Sequence, residues 1–270
     1  MAQAAAAGTA TRTPLNSNQI KGFWAAWGGW CLDGMDAFIY SLVLVPALTE
    51  LLPKSGIAPT PGNIGFYGSV LFALFLFGWG MSMVWGPIAD RFGRVKALMA
   101  TILMYSFFTL ACGLAQTVWQ LAILRVFCGI GLGGEQPIGG TFIAEEWPED
   151  RRKMGAGYMH TGYYFGFFLA ALANYTIGAR LGWRWMFAVV GLPAVLIGFI
   201  RYGVTESARW ERRAEERRAR PTMRSAFAAL FTPQYARRTV VNSLLLFISI
   251  VGLWAGSVYV PTSVIQLAGR

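Results

Sequence analysis

The sequence is poor in charge: aspartate, glutamate, lysine and arginine make up 13% of its 270 residues, against roughly 25% in ordinary soluble domains. Hydrophobic residues reach 55%, and 15% of the chain is aromatic. So few charges cannot cover the surface of a soluble domain, whereas helices in lipid need few of them. The composition therefore excludes most soluble classes and predicts an all-α, polytopic membrane protein.

Cysteine and histidine are scarce as well. Cys31, Cys112 and Cys128 lie within apolar runs and lack the spacing of metal ligands, so we expect packing residues rather than a disulfide or a zinc site. No nucleotide-phosphate motif is visible in the sequence, which disfavours ATP-driven transport. We therefore expect neither a metal nor a cofactor.

Acidic residues are the minority among the charges, and the formal net charge is +10. A nucleic-acid partner would require one exposed basic face, whereas these cations fall in short clusters between apolar runs. One set of loops holds most of them, and the opposite set holds only Lys54, Arg180 and Arg184. The positive-inside rule then puts the N-terminus on the cytoplasmic side of a bacterial-type inner membrane. The expected partner is the lipid bilayer, with no nucleic acid.

Seven apolar segments follow a small, polar N-terminal tail that lacks the apolar core of a signal peptide. The segments are residues 22–48, 64–84, 97–114, 118–142, 157–177, 185–202 and 240–259. We predict a cytoplasmic tail (1–21), a six-helix transmembrane bundle (22–202), a cytoplasmic linker (203–239) and a seventh transmembrane helix (240–270). The linker contains the charged run ERRAEERRAR at residues 211–220, which predicts an exposed helix at the membrane surface.

The first apolar segment carries two carboxylates, Asp33 and Asp36, near its middle. Each costs on the order of 2.5–3.5 kcal/mol at the centre of a membrane helix. Because they are three residues apart, they share one helix face. A segment that tolerates this cost is expected to use the charge.

Between the second and third segments, residues 86–97 read GPIADRFGRVKA. The residues that fit the pattern GxxxDRxGRxK are Gly86, Asp90, Arg91, Gly93, Arg94 and Lys96. The glycines allow a tight reversal, and Asp90 with the cations can form a switchable network at the cytoplasmic mouth. An ordinary basic loop is the alternative, but the ordered spacing disfavours it. This stretch resembles the signature loop of the major facilitator superfamily.

Further stretches resemble the proton-symporter branches of that superfamily, which take up metabolites, aromatic acids, sialic acid or sugars. They are LDGMD (32–36), RVFCGIGLGGE (125–135), AEEWP (144–148), GWRWMF (182–187) and TESARW (205–210). The resemblance implies a secondary active transporter for a small organic acid or sugar-like solute, with the proton as coupling ion. Enzyme function is disfavoured, since intramembrane aspartyl proteases place their catalytic aspartates on separate helices.

The superfamily normally has twelve spans, and this chain stops soon after the seventh. We therefore expect a truncated chain: an N-terminal half plus one helix, whose missing C-terminal half is required for full transport. The alternative is a non-transporting remnant or a receptor-like membrane protein. Sequence downstream of Arg270 would separate the two.

Helix depth relates Arg125 to the aspartates. Counted from residue 22, Asp33 lies about 16 Å and Asp36 about 21 Å from the cytoplasmic end. The fourth segment begins at the opposite side of the membrane, which puts Arg125 about 20 Å from the cytoplasmic face of a hydrocarbon core about 30 Å thick. We predict that Arg125 pairs with Asp36 or binds a substrate carboxylate, and that Asp33 carries the proton. The alternative is a structural ion pair that locks two helices.

Two further ionisable residues lie in the fourth and fifth segments. Glu135 lies about 25 Å along the fourth segment, close to the cytoplasmic surface. We predict that it pairs with Arg91 or Arg94 and stabilises one gate state; direct contact with the substrate is the alternative. His160 is the only histidine and lies near the start of the fifth segment. Its shallow position favours an interface role with a hydrogen bond over a proton relay.

Overall fold

The structure is a computed structural model that describes residues 12–191, 205, 228–254 and 256. It divides into two compact units, residues 1–214 and 215–270, which we describe separately. In the first unit the α-helices are α1 (Ser17–Lys54), α2 (Pro61–Met81), α3 (Trp85–Phe92), α4 (Arg94–Gly113), α5 (Val118–Leu132), α6 (Glu135–Glu146), α7 (Glu149–Ala173), α8 (Ala179–Leu181) and α9 (Trp183–Gly191). A 3-10 turn, Ser82–Val84, joins α2 to α3, and a π-helical turn, Asn174–Gly178, joins α7 to α8. The described part of the chain contains no strand, which confirms the all-α class.

Among the described residues, five helical segments are long and apolar enough to cross a membrane. They are Ser17–Lys54, Pro61–Phe92, Arg94–Gly113, Val118–Glu146 and Ala236–Trp254. They correspond to the first four predicted segments and the seventh. The fifth predicted segment lies in α7 and the following turns, and most of the sixth lies beyond residue 191, outside the described residues. The chain is therefore a multi-pass membrane protein.

Polar caps define where the long helices begin. The Asn16 side chain accepts a hydrogen bond from the backbone N–H of Gln19, whose side chain accepts one from the N–H of Asn16. Thr60 caps α2, and Thr117 caps α5 in the same way. These caps satisfy backbone donors that a helix leaves free in its first turn.

The chain reverses between α3 and α4 at a single residue, Gly93, whose φ of 109° suits glycine. The sequence pattern predicted that Gly86 would also serve this reversal, which is wrong. Gly86 lies inside α3, and a side chain added there would meet open space. Because α3 continues the second membrane segment, Asp90 and Arg91 are helical rather than part of a loop.

Glycines bring helix backbones into direct contact at two crossings. On α1 and α7, Gly34 lies against the Tyr163 carbonyl and Gly166 against the Cys31 carbonyl. On α2 and α5, Gly78 lies against the Val126 carbonyl, with Gly129 against α2 in return. A Cβ atom at any of these positions would collide with backbone, so the crossings depend on glycine. They fix α1 so that the face carrying Asp33 and Asp36 is buried in the bundle.

The second unit contains α10 (Ala236–Trp254), which begins four residues before the predicted seventh segment. The charged run at 211–220 and the TESARW stretch beyond Thr205 lie outside the described residues. The predicted boundaries of the tail, bundle, linker and seventh helix stay a prediction.

Candidate functional site

Asp36 on α1 and Arg125 on α5 form an ion pair in the interior of the bundle. Arg125 Nη1 lies 3.2 Å from Asp36 Oδ2, and both side chains are fully buried. The Thr109 hydroxyl on α4 donates to Asp36 Oδ1 at 3.0 Å, and the Cys128 thiol lies 3.5 Å from Asp36 Oδ2. The contact between Asp36 and Arg125 predicted from helix depth is therefore confirmed, whereas its role in transport stays a prediction.

Aromatic rings surround the Arg125 guanidinium. Its Cζ atom lies 4.9 Å from the ring centroid of Phe187, 5.0 Å from that of Tyr40 and 5.5 Å from that of Phe75. The face of each ring attracts the cation. Nε and Nη2 of Arg125 are buried and have no hydrogen-bond partner among the described residues. The site thus contains one cation whose Nε and Nη2 donors are unpaired among the described residues, an arrangement that suits an anionic ligand.

Asp33 lies one turn from Asp36 but has different surroundings. Its side chain is fully buried, and neither carboxylate oxygen has a hydrogen-bond partner within the described part of the chain. Asp33 is therefore a buried acid without a counter-charge bound to it, which agrees with the kind of group predicted to carry a proton. That role stays a prediction.

Glu135 does not pair with Arg91 or Arg94, so the predicted contact is wrong. The fourth segment is broken at Gly133 and Gly134, and Glu135 is the first residue of α6. Its carboxylate is buried against α1, where Gly29 leaves it room. The depth count placed Glu135 near the end of this span, whereas helical structure continues beyond it as far as Glu146.

Arg94 is the centre of an ion-pair cluster at the end of the bundle where α3 and α4 meet. Its Nη1 lies 2.6 Å from Asp90 Oδ1, and its Nη2 lies 3.2 Å from Glu145 Oε1 on α6. We call Asp90, Arg94 and Glu145 the Arg94 cluster. The predicted network between Asp90 and a cation of the motif is present, and Glu145 takes the place that we assigned to Glu135. Glu145 lies ten residues after Glu135, or about 15 Å nearer the end of the helix. That position near the helix end could have identified Glu145 as the partner of Arg94 from the sequence.

Arg91 and His160 lie outside these clusters. The Arg91 guanidinium stacks 5.4 Å from the ring centroid of Phe92. His160 is exposed eleven residues after the start of α7, and its ring meets that of Trp30 edge-on at 6.0 Å. No described residue forms a hydrogen bond with His160, so the hydrogen bond expected for it is not formed there. Its depth in the membrane and its interface role stay predictions.

A second ion-pair cluster, not anticipated from the sequence, lies at the opposite end of α1. Glu50 accepts hydrogen bonds from Lys54 Nζ at 2.7 Å, from Arg184 Nη2 at 2.9 Å and from the Trp183 indole at 2.8 Å. Arg184 Nη1 also donates to the carbonyls of Gly113 and Ala115 at 2.8 Å each. We call Glu50, Lys54, Trp183 and Arg184 the Glu50 cluster. It joins the ends of α1, α4 and α9, and the i,i+4 pair of Glu50 and Lys54 was its signal in the sequence.

The N-terminal segment before α1 binds the start of α7. The Thr13 N–H donates to Asp150 Oδ2 at 2.9 Å. This hydrogen bond holds the pKa of the exposed Asp150 carboxyl below its usual range. Gln19 donates to the Glu146 carbonyl at the end of α6. The beginning of α1 is therefore tied to the α6–α7 corner.

Membrane-length helices packed by glycine, with a buried ion pair between the first and fourth spans, define a polytopic membrane protein of the transporter type. The family model of the Major Facilitator Superfamily matches residues 26–269, so the chain belongs to that superfamily. The predicted resemblance is confirmed. Its relatives are transporters, and the protein is not an enzyme.

Individual relatives agree with this assignment. The chain is 32% identical over 243 residues to a probable 4-methylmuconolactone transporter of Cupriavidus pinatubonensis, a match that covers 88% of this chain and 53% of that protein. It is 29% identical to the sialic acid transporter NanX of Escherichia coli, over 75% of this chain and 48% of that protein. The chain thus spans about half the length of the curated relatives it matches.

Solved structures show the same fold. The crystal structure of a D-xylose–proton symporter superimposes with a TM-score of 0.65 at 23% identity, covering 75% of this chain and 52% of that chain. At this identity the likeness concerns the fold alone.

Proposed function

We propose that the full-length protein is a secondary active transporter that couples proton movement to uptake of a small organic acid or sugar-like solute across the inner membrane. The observation that carries this proposal is the buried Asp36–Arg125 pair, in which two nitrogen atoms of the cation, Nε and Nη2, have no hydrogen-bond partner among the described residues. A buried cation with free donors is a recognition group for a carboxylate. The names of the relatives, transporters for 4-methylmuconolactone and sialic acid, support a small metabolite as substrate.

Exchange of partners at Arg125 would couple the solute to the proton. Asp36 occupies only Nη1 of Arg125, so an incoming carboxylate can bind Nε and Nη2 and compete for the guanidinium. A buried carboxylate that loses its cation favours the protonated form, because an uncompensated charge is costly there. Asp33, which has no cation at all, takes the proton in this scheme.

The orientation follows from the distribution of lysine and arginine. The Arg94 cluster then faces the cytoplasm and the Glu50 cluster faces outward. Cysteines introduced singly at Asn18 and at Asn63, labelled from one side of intact cells, test this. Labelling of position 18 only after the membrane is opened supports a cytoplasmic N-terminus, and labelling of position 18 in intact cells contradicts it.

Transport is tested with the full-length protein in proteoliposomes and a panel of carboxylates and sugars, with and without an imposed pH gradient. We expect Asp33→Asn and Asp36→Asn to abolish gradient-driven accumulation, while the exposed control Asp150→Asn retains it. Unchanged proton dependence in both variants would rule out coupling through these aspartates. It would leave the Asp36–Arg125 pair as a structural lock between α1 and α5.

A further inference from the structure

Glu135 occupies a position that only a neighbouring glycine permits. Its carboxylate lies against Gly29 of α1, and a Cβ atom at Gly29 would collide with Glu135 Oε2. Glu135 is 3% exposed, and neither of its oxygens has a hydrogen-bond partner within residues 12–191 or the other described residues. The gate role first assigned to Glu135 therefore has no contact to support it.

Asp33 lies one helical turn beyond Gly29 on the same face of α1. The carboxyls of Asp33 and Glu135 therefore approach the same space, and they interact electrostatically. Both are buried, and both are unpartnered in the described part of the chain. The Tyr105 hydroxyl of α4 interacts with both carboxyls and is likewise buried and unpartnered. These unused polar groups converge on one site.

No cation is bound to this site within the described structure. The other titratable groups that interact with it are Cys31 and Asp36 on α1, Tyr105 on α4 and Tyr163 on α7. Arg125 on α5 is bound by Asp36. On α3 and α4, Asp90 and Arg94 pair with each other, and Arg94 also binds Glu145. The site is therefore a pair of acids that face neutral or acidic neighbours.

We propose that Asp33 and Glu135 form one proton-binding pair, in which a single proton is held between two buried carboxyls and is the coupling proton. This rests on the proposed proton-coupled transport and assigns Glu135 a part in it. Two adjacent buried carboxylates cannot both stay charged at modest cost, whereas one proton removes the repulsion and supplies a hydrogen-bond donor to the other acid. The Tyr105 hydroxyl can donate to the remaining charge.

The experiment combines transport with a direct measurement of protonation. Full-length Glu135→Gln, Asp33→Asn and the conservative Glu135→Asp are purified and reconstituted, with the exposed Glu149→Gln as matched control. The carboxyl C=O band in infrared difference spectra is followed as a function of pH. Gradient-driven accumulation and substrate exchange without a gradient are measured in parallel, and thermal unfolding checks that each variant is folded.

We expect wild type and Glu149→Gln to lose one protonated-carboxyl band at a common midpoint pH. In Glu135→Gln the midpoint for Asp33 falls by about 1 unit or more, because the repelling partner is gone. Gradient-driven accumulation falls about tenfold or more in this variant while exchange continues, since 1.4 kcal/mol of lost coupling is already a factor of ten. In Glu135→Asp, we expect the midpoint pH for Asp33 and the gradient-driven accumulation to return part of the way to their wild-type values. Gly29→Ala, which presses on Glu135, shifts the same midpoint, whereas Gly140→Ala, in open space, does not.

The proposal that Asp33 and Glu135 share a proton would be overturned by two results together in Glu135→Gln. These are an unshifted midpoint pH of the Asp33 carboxyl band and accumulation at the wild-type level. If Asp33→Asn still loses accumulation in that situation, proton coupling through Asp33 stands without Glu135. If even the wild type shows no proton dependence, the proposed function fails, and the infrared titration still decides whether the two acids share a proton. Accumulation that disappears when sodium is replaced by choline would assign the site to a metal cation and overturn the proton pair.

Discussion

The two aspartates of α1 are separated by a single helical turn, yet one is fully compensated and the other is not. Asp36 receives hydrogen bonds from Arg125, the Thr109 hydroxyl and the Cys128 thiol, whereas Asp33 receives none from any described residue. The same residue type on the same helix face therefore has opposite electrostatic surroundings. The partner contributed by the opposing helix decides this, not the position of the acid in the sequence.

The largest expected difference between the two aspartates is in stability. Asp36→Asn leaves Arg125 buried without a counter-charge, which should cost about 3–5 kcal/mol. Asp33→Asn removes a buried acid that no described cation compensates and should be neutral or stabilising. Denaturant unfolding of both full-length variants in the same detergent measures the difference, and the double variant Asp36→Asn/Arg125→Gln should recover part of the loss. Equal losses of stability in Asp36→Asn and Asp33→Asn would contradict the expected difference between the two aspartates.

Gly34 lies between the two aspartates and keeps α1 against α7. A methyl group there collides with the Tyr163 carbonyl, so Gly34→Ala should separate the helices and cost about 1–3 kcal/mol. The matched change Gly157→Ala on α7 meets open space and should be neutral or stabilise by up to about 1 kcal/mol. Thermal unfolding of both variants is the measurement, and a stable Gly34→Ala protein would show that this crossing can relax.

A smaller effect is expected in the Arg94 cluster, which is partly open to solvent. Glu145→Gln removes one of the two acids bound to Arg94 and leaves Asp90 in place, so the loss of stability should be about 1 kcal/mol. Because the cluster lies away from Arg125, transport rate should change more than the apparent affinity for solute. Initial uptake rates over a range of solute concentrations separate these quantities, with Glu149→Gln as control.

The smallest effect concerns the N-terminal contact. The lowered pKa of Asp150 means that its hydrogen bond to Thr13 contributes fully at neutral pH. The contribution begins to fall below the usual aspartate value of about 3.9 and is lost as the pH passes through the lowered pKa of the folded state. A lower protection factor of the Thr13 amide, corrected for the intrinsic exchange rate at each pH, is the expected result at low pH, and at neutral pH in Asp150→Asn. Equal protection of that amide in the variant would contradict it.

Much of this arrangement could be predicted from the sequence because helix rise is constant. Counting residues placed Arg125 level with Asp36, and the structure joins them. Counting failed for Glu135, since it placed this residue near the end of the span, whereas helical structure continues as far as Glu146. In the Glu50 cluster, Glu50 and Lys54 form an i,i+4 pair within α1. Trp183 and Arg184 lie 133 and 134 residues from Glu50 in the chain and meet it only through folding.

The length of α1 has a consequence for how the two ends of the bundle communicate. Its 38 residues extend about 57 Å at 1.5 Å per residue, whereas a bilayer with its headgroups measures about 40–45 Å. This helix is therefore long enough to reach both aqueous boundaries, and it is tied at one end by Gln19 and at the other by Glu50. Both acids lie before Pro46, where a proline removes a helix hydrogen bond. We therefore expect a tilt of the part of α1 before Pro46 to move the end at Gln19 and the ion site together.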